Sequence, residues 1–478
     1  MTEKIILTPG RSINAGSANI AYPKGDILNV KGFYEQDSHV MPELKVFRSD
    51  GITDGVENIW YEYVPEGLDH SRPMPLVISF HGGGQSGWGQ CYATSWAMLA
   101  DKYGFVAFFP TASNGRGWNR DPDGPDFRLV DHLLKRAQKE YNIDPGRVFI
   151  QGMSSGNMMT TALSRSEWAG RFAGAGMSAG PSSTDLFEDP NADLSGLSPI
   201  PVYQSRGERD TMCPNPMEGL NRYILNKVDK ELWLSANGCE KLPQVIKISG
   251  RDNFFVYRGK KADLVYRDVK YRGHGQTIDD AEQMWRQYFS ACSRDEKGNI
   301  VIGEPIEKLE NDRAVILADG CSNIFVDGIL VSLDSACYQL TQYMEVDEGM
   351  LARRPELKDP ANVPSYGPFL YAPAELFSKV FGFSLEYSYG GRRVEMVSSC
   401  GKVELQFAEG NVACTVNGVL KNLERQVEFK DGVLYIPMKG VAEMLRKIVI
   451  YHNGVMYITD HAGEMTDDFA AMLKEYLA

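Results

Sequence analysis

Arg147-Val148-Phe149-Ile150-Gln151-Gly152-Met153-Ser154-Ser155-Gly156 runs from an apolar segment into a pentapeptide with a serine at its centre and glycine two places to either side. The residues up to Gln151 read as a strand, the pentapeptide as a sharp turn, and the chain from Asn157 as a helix. A turn of this kind holds its serine in a cramped backbone conformation, so the flanking residues must be small, and Gly152 and Gly156 leave that room. The helix beyond directs a positive dipole end and free backbone N–H groups toward the serine. An ordinary turn serine is the alternative reading of Ser154.

A nucleophilic serine on such a turn requires a loop of amide donors before it, and an acid and then a histidine after it. Upstream, Pro75-Leu76-Val77-Ile78-Ser79-Phe80 is a buried-type strand leading into His81-Gly82-Gly83-Gly84-Gln85-Ser86-Gly87, whose glycines let backbone amides approach a substrate oxygen. Downstream, Pro199-Ile200-Pro201-Val202-Tyr203 ends in Arg206-Gly207-Glu208-Arg209-Asp210, a carboxylate just past a strand's carboxyl end. Leu264 to Val269 reads as another strand, followed by Arg272-Gly273-His274-Gly275-Gln276. Of seven histidines, His274 is the one flanked by glycines in a strand-to-helix loop, where an accessible imidazole belongs; a plain surface histidine is its alternative.

A serine hydroxyl is a poor nucleophile until a base removes its proton. His274 would be that base for Ser154, and Asp210 would orient the imidazole and stabilise its cation. Backbone N–H groups of Ser155, Gly83 and Gly84 would receive the charge of a tetrahedral intermediate, worth ~3 kcal/mol per donor. Glu208 competes with Asp210 for the acid's place, and His81 reads as a residue that shapes the glycine loop.

The blocks Val77 to Gly84, Tyr141 to Met158, Gly207 to Asp210 and Gly273-His274 resemble the polyhydroxybutyrate depolymerase and feruloyl or acetylxylan esterase group of α/β-hydrolases, over about residues 55 to 292. The most specific part is Ile143-Asp144-Pro145 followed by Arg147-Val148 and the serine turn through Met158. The chain departs from that pattern at Asn157, where the group usually has another glycine, and in the acid loop, crowded by Glu208 and Arg209. The resemblance implies an α/β-hydrolase with a Ser154, Asp210 and His274 triad acting through an acyl-enzyme.

The 478 residues exceed one core and predict two or three domains. A net charge of −13 argues against nucleic acid as a partner. There is no run of some 18 apolar residues, hence no expected membrane span. The start, Met1 to Pro9, has only a three-residue apolar stretch, which predicts a cytoplasmic protein, or a secreted one whose signal has been removed. The eight cysteines are dispersed without a C-x-x-C pair and read as buried thiols; Cys213, three past Asp210, reads as a packed loop residue. Asp121 to Asp126 is acidic, but a calcium loop would need glutamate where His132 stands, so no metal and no cofactor is expected.

The alternation of strands and helices predicts an α/β fold, a doubly wound, mostly parallel sheet, over 56–295. Tyr103 to Phe109 reads as a second buried strand. Phe127, Val130, Leu134, Ala137 and Tyr141 share one face of a crossover helix. A helix near Thr277 presents Ala281, Met284, Trp285 and Phe289 to the core. Gln85, Trp88 and Trp118 are candidates for the substrate pocket, with loop packing as the equal alternative for the two indoles. Residues 1–55 read as an irregular arm ending in an antiparallel edge pair, Leu44 to Phe47 with Ile59 to Tyr63.

All seven tryptophans precede residue 300, and beyond it short strands predominate. Leu370-Tyr371-Ala372-Pro373 realigns with Leu434-Tyr435-Ile436-Pro437, and Phe325 to Leu330 with Thr415 to Leu420, so 306–462 reads as a duplicated α+β module followed by a helix over 463–478. It resembles the repeat domain named after the N-terminal domain of copper amine oxidases. No copper is expected, since only His452 and His461 occur here. The module is a candidate for binding or homo-oligomerisation, with structural support as the equal alternative. The proline-bearing stretch Ser335 to Phe369 reads as a long exposed loop.

Together these readings predict a serine carboxylic-ester hydrolase for short or aromatic acyl esters, such as those of plant cell-wall carbohydrate. A serine peptidase of the same fold and an inactive binding or assembly protein are the alternatives.

Overall fold

The apolar segments of the first 270 residues pair into one eleven-stranded sheet in the computed structural model, which describes residues 2–4, 43–115, 117–180, 197–212 and 222–478. Its strands are β1 (Thr2–Lys4), β2 (Leu44–Thr53), β3 (Val56–Tyr63), β4 (Met74–Phe80), β5 (Val106–Pro110), β6 (Ile143–Met153), β7 (Gly174–Ser178), β8 (Val202–Gly207), β9 (Val245–Ser249), β10 (Asp252–Tyr257) and β11 (Leu264–Val269). Their spatial order is β1-β2-β3-β5-β4-β6-β7-β8-β11-β10-β9.

From β5 across to β11 every pairing is parallel. β1 to β3 add antiparallel on one side and β10 on the other. The sheet is therefore mixed: its centre is parallel, the expected antiparallel pair of β2 and β3 lies on one flank, and β10 on the other was not foreseen. The reason is visible in burial: β4, β5, β7, β8 and β11 are buried along their whole length, as strands covered on both faces must be, whereas β2 is exposed at several positions.

The helices of this part are α1 (Gly87–Ala93), α2 (Trp96–Tyr103), α3 (Pro125–Tyr141), α4 (Ser155–Arg165), α5 (Arg222–Asn237) and α6 (Ile278–Gln287). Tyr103 ends α2 instead of opening a strand, because Gly104 at φ 71° caps the helix in the left-handed region and β5 starts only at Val106. On α3, Phe127, Val130, Leu134 and Ala137 are buried as expected, while Tyr141 is half-buried and donates its hydroxyl to Glu62. Ala281, Met284, Trp285 and Phe289 are buried. The arm over 5–42 and Cys213 lie outside the described residues. The other seven cysteines are free thiols.

The chain gathers into two units, Met1–Lys247 with Arg251–Glu310, and Asn311–Ala478 with Ile248–Gly250. In the second, one five-stranded sheet orders Ile329–Ser332, Asn323–Val326, Val315–Ala318, Val455–Thr459 and Ile448–His452. Another orders Ser384–Ser388, Arg393–Val397, Glu404–Ala408, Ala413–Val416 and Val419–Asn422. A four-stranded sheet completes the module, and all its pairings are antiparallel. Asp327-Gly328 and Asn417-Gly418 turn two hairpins with positive φ at both residues, as tight two-residue turns need.

The stretch from Ser335 to Phe369 is not a loop. Tyr338–Tyr343 pairs with Ser365–Pro373, and the helix Glu348–Arg353 lies between them. Pro355 and Pro360 open short 3-10 turns, Pro368 lies within the second strand, and Tyr338 and Leu340 pair with Tyr371 and Phe369. Among the described residues no helix is long and apolar enough to cross a membrane.

Candidate active site

β6 ends at Met153, and Ser154 takes φ 54° and ψ −115°, a conformation that costs a non-glycine residue of order 1–3 kcal/mol. Its surroundings hold it there. The Ser154 N–H donates to Ser178 O at 3.1 Å, and Met158 N–H donates to Ser154 O at 3.0 Å. A side chain at Gly152 would put Cβ 2.0 Å from Gly156 O, and one at Gly156 would put it 2.2 Å from Phe80 O. Both glycines are therefore demanded by close backbone approach, as the sequence pattern implied. α4 starts at Ser155, two residues before the expected Asn157, because the turn hands the chain directly to the helix.

Ser154, His274 and Asp210 come together. His274 Nε2 lies 2.8 Å from Ser154 Oγ, and His274 Nδ1 lies 3.0 and 3.1 Å from the two Asp210 carboxylate oxygens. With Nδ1–H donating to the carboxylate, Nε2 is the acceptor for the serine hydroxyl. The loops after β8 and β11 that carry the acid and the imidazole are joined: Arg209 N–H donates to Arg272 O at 2.7 Å, and Gly207 packs so closely that a Cβ would sit 2.5 Å from the same oxygen.

Asp210 is buried and accepts N–H bonds from Met212 at 3.0 Å and Gly180 at 2.6 Å. Burial acts to raise its carboxyl, but the bond to His274 and the imidazole's charge, with the two amide donors, outweigh it and hold the group below its ordinary value. Glu208, the competing acid, is occupied elsewhere: its oxygens accept from Lys270 Nζ at 2.6 Å and Tyr271 N–H at 3.0 Å.

The glycine loop packs on the serine turn, where a Cβ at Gly82 would lie 2.8 Å from Met153 Sδ. Gly83 and Gly84 are exposed, and Gly84 has φ 70°. Ser155, first residue of α4, has its N–H ahead of the helix's own acceptors. Gln85 is buried and turned into the loop, its Oε1 accepting Gly82 N–H at 3.0 Å, so it braces the loop. Trp88 belongs to the core, its ring 5.2 Å from Tyr92. Trp118 is buried beside the site: Nε1 donates to His81 O at 2.8 Å, and its N–H points at Ser155 Oγ at 3.4 Å. Trp118 also packs its ring on Phe80 and His81.

His81 shapes the loop, as expected. Nδ1 contacts Gly82 O at 2.6 Å, Nε2 accepts Ala112 N–H at 3.0 Å, and burial lowers its pKa to about 4. A histidine depressed in the folded state binds fewer protons than in the unfolded chain. Stability from neutral His81 is therefore complete above pH 6.5 and is lost as pH falls toward 4. A His81→Asn variant is expected to show a flatter fall of Tm between those pH values, read by the tryptophan fluorescence of the first unit.

Two positioning residues had no motif to announce them. Asn157 Nδ2 donates to Ala179 O at 3.3 Å and Gly180 O at 3.0 Å, tying α4 to the turn whose Gly180 N–H holds Asp210. The departure at Asn157 was visible in the sequence, but its partners were not. Asp126, in the acidic stretch, is buried and accepts from Ser113 N–H and Oγ and from Asn119 N–H, bracing the loop before Trp118.

Parts of the chain are similar to known esterases and to a depolymerase. A bifunctional acetylxylan esterase/xylanase of Neocallimastix patriciarum is 31% identical over 148 residues, 31% of this chain and 21% of that protein. A probable acetylxylan esterase A of Aspergillus fumigatus is 30% identical over 115 residues, 22% of this chain and 30% of that one. A poly(3-hydroxyalkanoate) depolymerase C of Paucimonas lemoignei is 28% identical over 130 residues, 25% of this chain and 30% of its own length. The matched part therefore spans less than a third of each of these relatives. A solved acetyl xylan esterase from Aspergillus awamori aligns with TM-score 0.39 and 18% identity over 50% of this chain and 97% of that one. Residues 59–195, which carry the glycine loop and the Ser154 turn, match the family model described as esterase PHB depolymerase.

Proposed function

We propose that the first unit is a serine carboxylic-ester hydrolase. The observation that carries this reading is the continuous hydrogen-bonded line from Asp210 through His274 to Ser154 Oγ, on a turn whose backbone is held in a strained conformation. Ser154 Oγ attacks the ester carbonyl carbon while its proton passes to His274 Nε2, and Asp210 stabilises the imidazolium. The carbonyl oxygen becomes an oxyanion beside the Ser155 amide and those of Gly83 and Gly84. The C–O bond to the alcohol breaks, the leaving oxygen takes the proton from His274, and an acyl-Ser154 ester remains. Water repeats the sequence, losing its proton to His274 and releasing the acid and free serine.

The substrate class proposed is a short or aromatic acyl ester on cell-wall carbohydrate. Its support is that the similar proteins include acetylxylan esterases and a feruloyl esterase B of Neurospora crassa. The protein is expected to be labelled by a fluorophosphonate probe and to hydrolyse p-nitrophenyl acetate and methyl ferulate, but not a peptide anilide. Turnover of the anilide alone would make it a peptidase, and absence of labelling in folded protein would make it a binding protein.

The second unit is proposed to be a duplication whose halves exchange hairpins. Each five-stranded sheet joins three strands of one half to a hairpin of the other. The pairs Tyr371 with Pro437 and Pro373 with Tyr435 exchange places under the 64-residue offset seen in the sequence.

A further inference from the structure

Beneath the site lies a closed ring of buried side chains that neither the motif nor the proposed chemistry uses. Gln276 Nε2 donates to Gln90 Oε1 at 3.0 Å, and Gln90 Nε2 to Ser79 Oγ at 2.9 Å. Ser79 Oγ donates to Gln151 Oε1 at 2.6 Å, and Gln151 Nε2 returns to Gln276 Oε1 at 3.1 Å. Every donor points the same way round, so each bond polarises the next. All four residues are at most 1% exposed, and Trp96 Nε1 adds a further donor to Gln151 Oε1 at 3.1 Å. Four amide or hydroxyl groups at such depth impose a desolvation cost that only mutual pairing offsets.

The ring joins the elements that present each part of the site. Ser79 lies on β4 two residues before His81 and the glycine loop, and Gln90 lies on α1, which follows that loop. Gln151 lies on β6 three residues before Ser154, and Gln276 follows His274 by two. His274 sits between Gly273 and Gly275, so its loop has little stiffness of its own. On the other side of the imidazole, Arg272 is pinned through Asp280 Oδ1 at 2.7 Å and Ser205 Oγ at 2.9 Å.

We propose that the Ser79, Gln90, Gln151 and Gln276 ring is a positioning device that sets the distance between His274 Nε2 and Ser154 Oγ, with Gln276 as the positioning residue for the imidazole. The proposal rests on the hydrolase reading and concerns what keeps that site in register.

The test compares Gln276→Met with Gln287→Met. Gln287 is also a buried amide, on α6, whose Oε1 accepts from Tyr203 hydroxyl at 2.9 Å. Both substitutions keep volume and remove a buried hydrogen bond, so both lower Tm. Only Gln276→Met is expected to lower kcat for p-nitrophenyl acetate, by at least about tenfold, because a misplacement of about 1 Å costs up to about 10²-fold. KM is expected to stay within about twofold, and fluorophosphonate labelling to slow by the same factor as kcat. Should Gln276→Met not fold, Ser79→Ala opens the same ring with a smaller change, removing the donor to Gln151 and the acceptor for Gln90, and shows the same split at smaller size. A folded ring variant with wild-type kcat, or equal kcat losses in the two Met variants, overturns the proposal while the hydrolase reading stands. Wild-type protein that neither labels nor turns over overturns that reading and the proposal with it.

Discussion

Ser154→Ala is expected to abolish fluorophosphonate labelling and to lower kcat for p-nitrophenyl acetate by about 10⁶-fold, the scale seen when a hydrolase of this type loses its nucleophile. The hydroxyl at 2.8 Å from His274 Nε2 is the atom from which the acyl-enzyme would grow. Alanine at 154 keeps the turn's hydrogen bonds, which are made by the backbone N–H and carbonyl, so the variant is expected to fold with a Tm near that of the parent. His274→Ala should fall to a similar floor, and the double variant should fall no further, because the two groups act in one step. Ester turnover surviving in Ser154→Ala at the parent rate would sink the proposed mechanism.

Asp210→Asn is expected to cost about 10⁴-fold in kcat, the effect of losing the carboxylate that orients the imidazole and stabilises its cation. Here the substitution does two things. It removes the charge facing His274 Nδ1, and it places an amide NH₂ against either Gly180 N–H or Met212 N–H, both of which now find a carboxylate oxygen. Glu208→Gln is the contrast: its partners are Lys270 and Tyr271 N–H, so kcat is expected to stay close to the parent's. Steady-state kinetics of the two variants decides between the carboxylates, and a larger loss in Glu208→Gln would reverse the assignment. The same carboxyl also contributes to folding. Since its folded value lies below the ordinary 3.8, the stability it adds is present above that pH and is lost as pH falls through the lower folded value. Asp210→Asn should flatten the acid limb of a Tm profile in that window.

How much of this was legible beforehand follows the range of each interaction. Gly152 was readable because its requirement is local, Gly156 O crowding any Cβ there, whereas Gly156 is crowded by Phe80 O at the end of β4 and was readable only through the spacing of the pentapeptide. The buried strands read as continuous apolar runs because both their faces are covered. Chain order was enough to propose Asp210 and His274, but not to separate Asp210 from Glu208, two residues apart. Lys270 and Tyr271 N–H, brought close by the pairing of β8 with β11, engage Glu208 and leave Asp210 to the imidazole. Likewise nothing in the spelling of Trp88 and Trp118 told that one would enter the core and the other would bond to His81 O.

By itself the sequence determined the strand, turn and helix at Ser154, the glycine loop, and the hydrophobic segments that build the sheet, since each depends on neighbours along the chain. Only the tertiary structure decided the antiparallel place of β10 beside β11, the choice of acid, the strand and helix within 335–369, and the buried ring from Gln276 to Gln151. Those depend on partners as many as 186 residues apart, and a buried polar side chain reveals its role only when the group that satisfies it has been brought alongside.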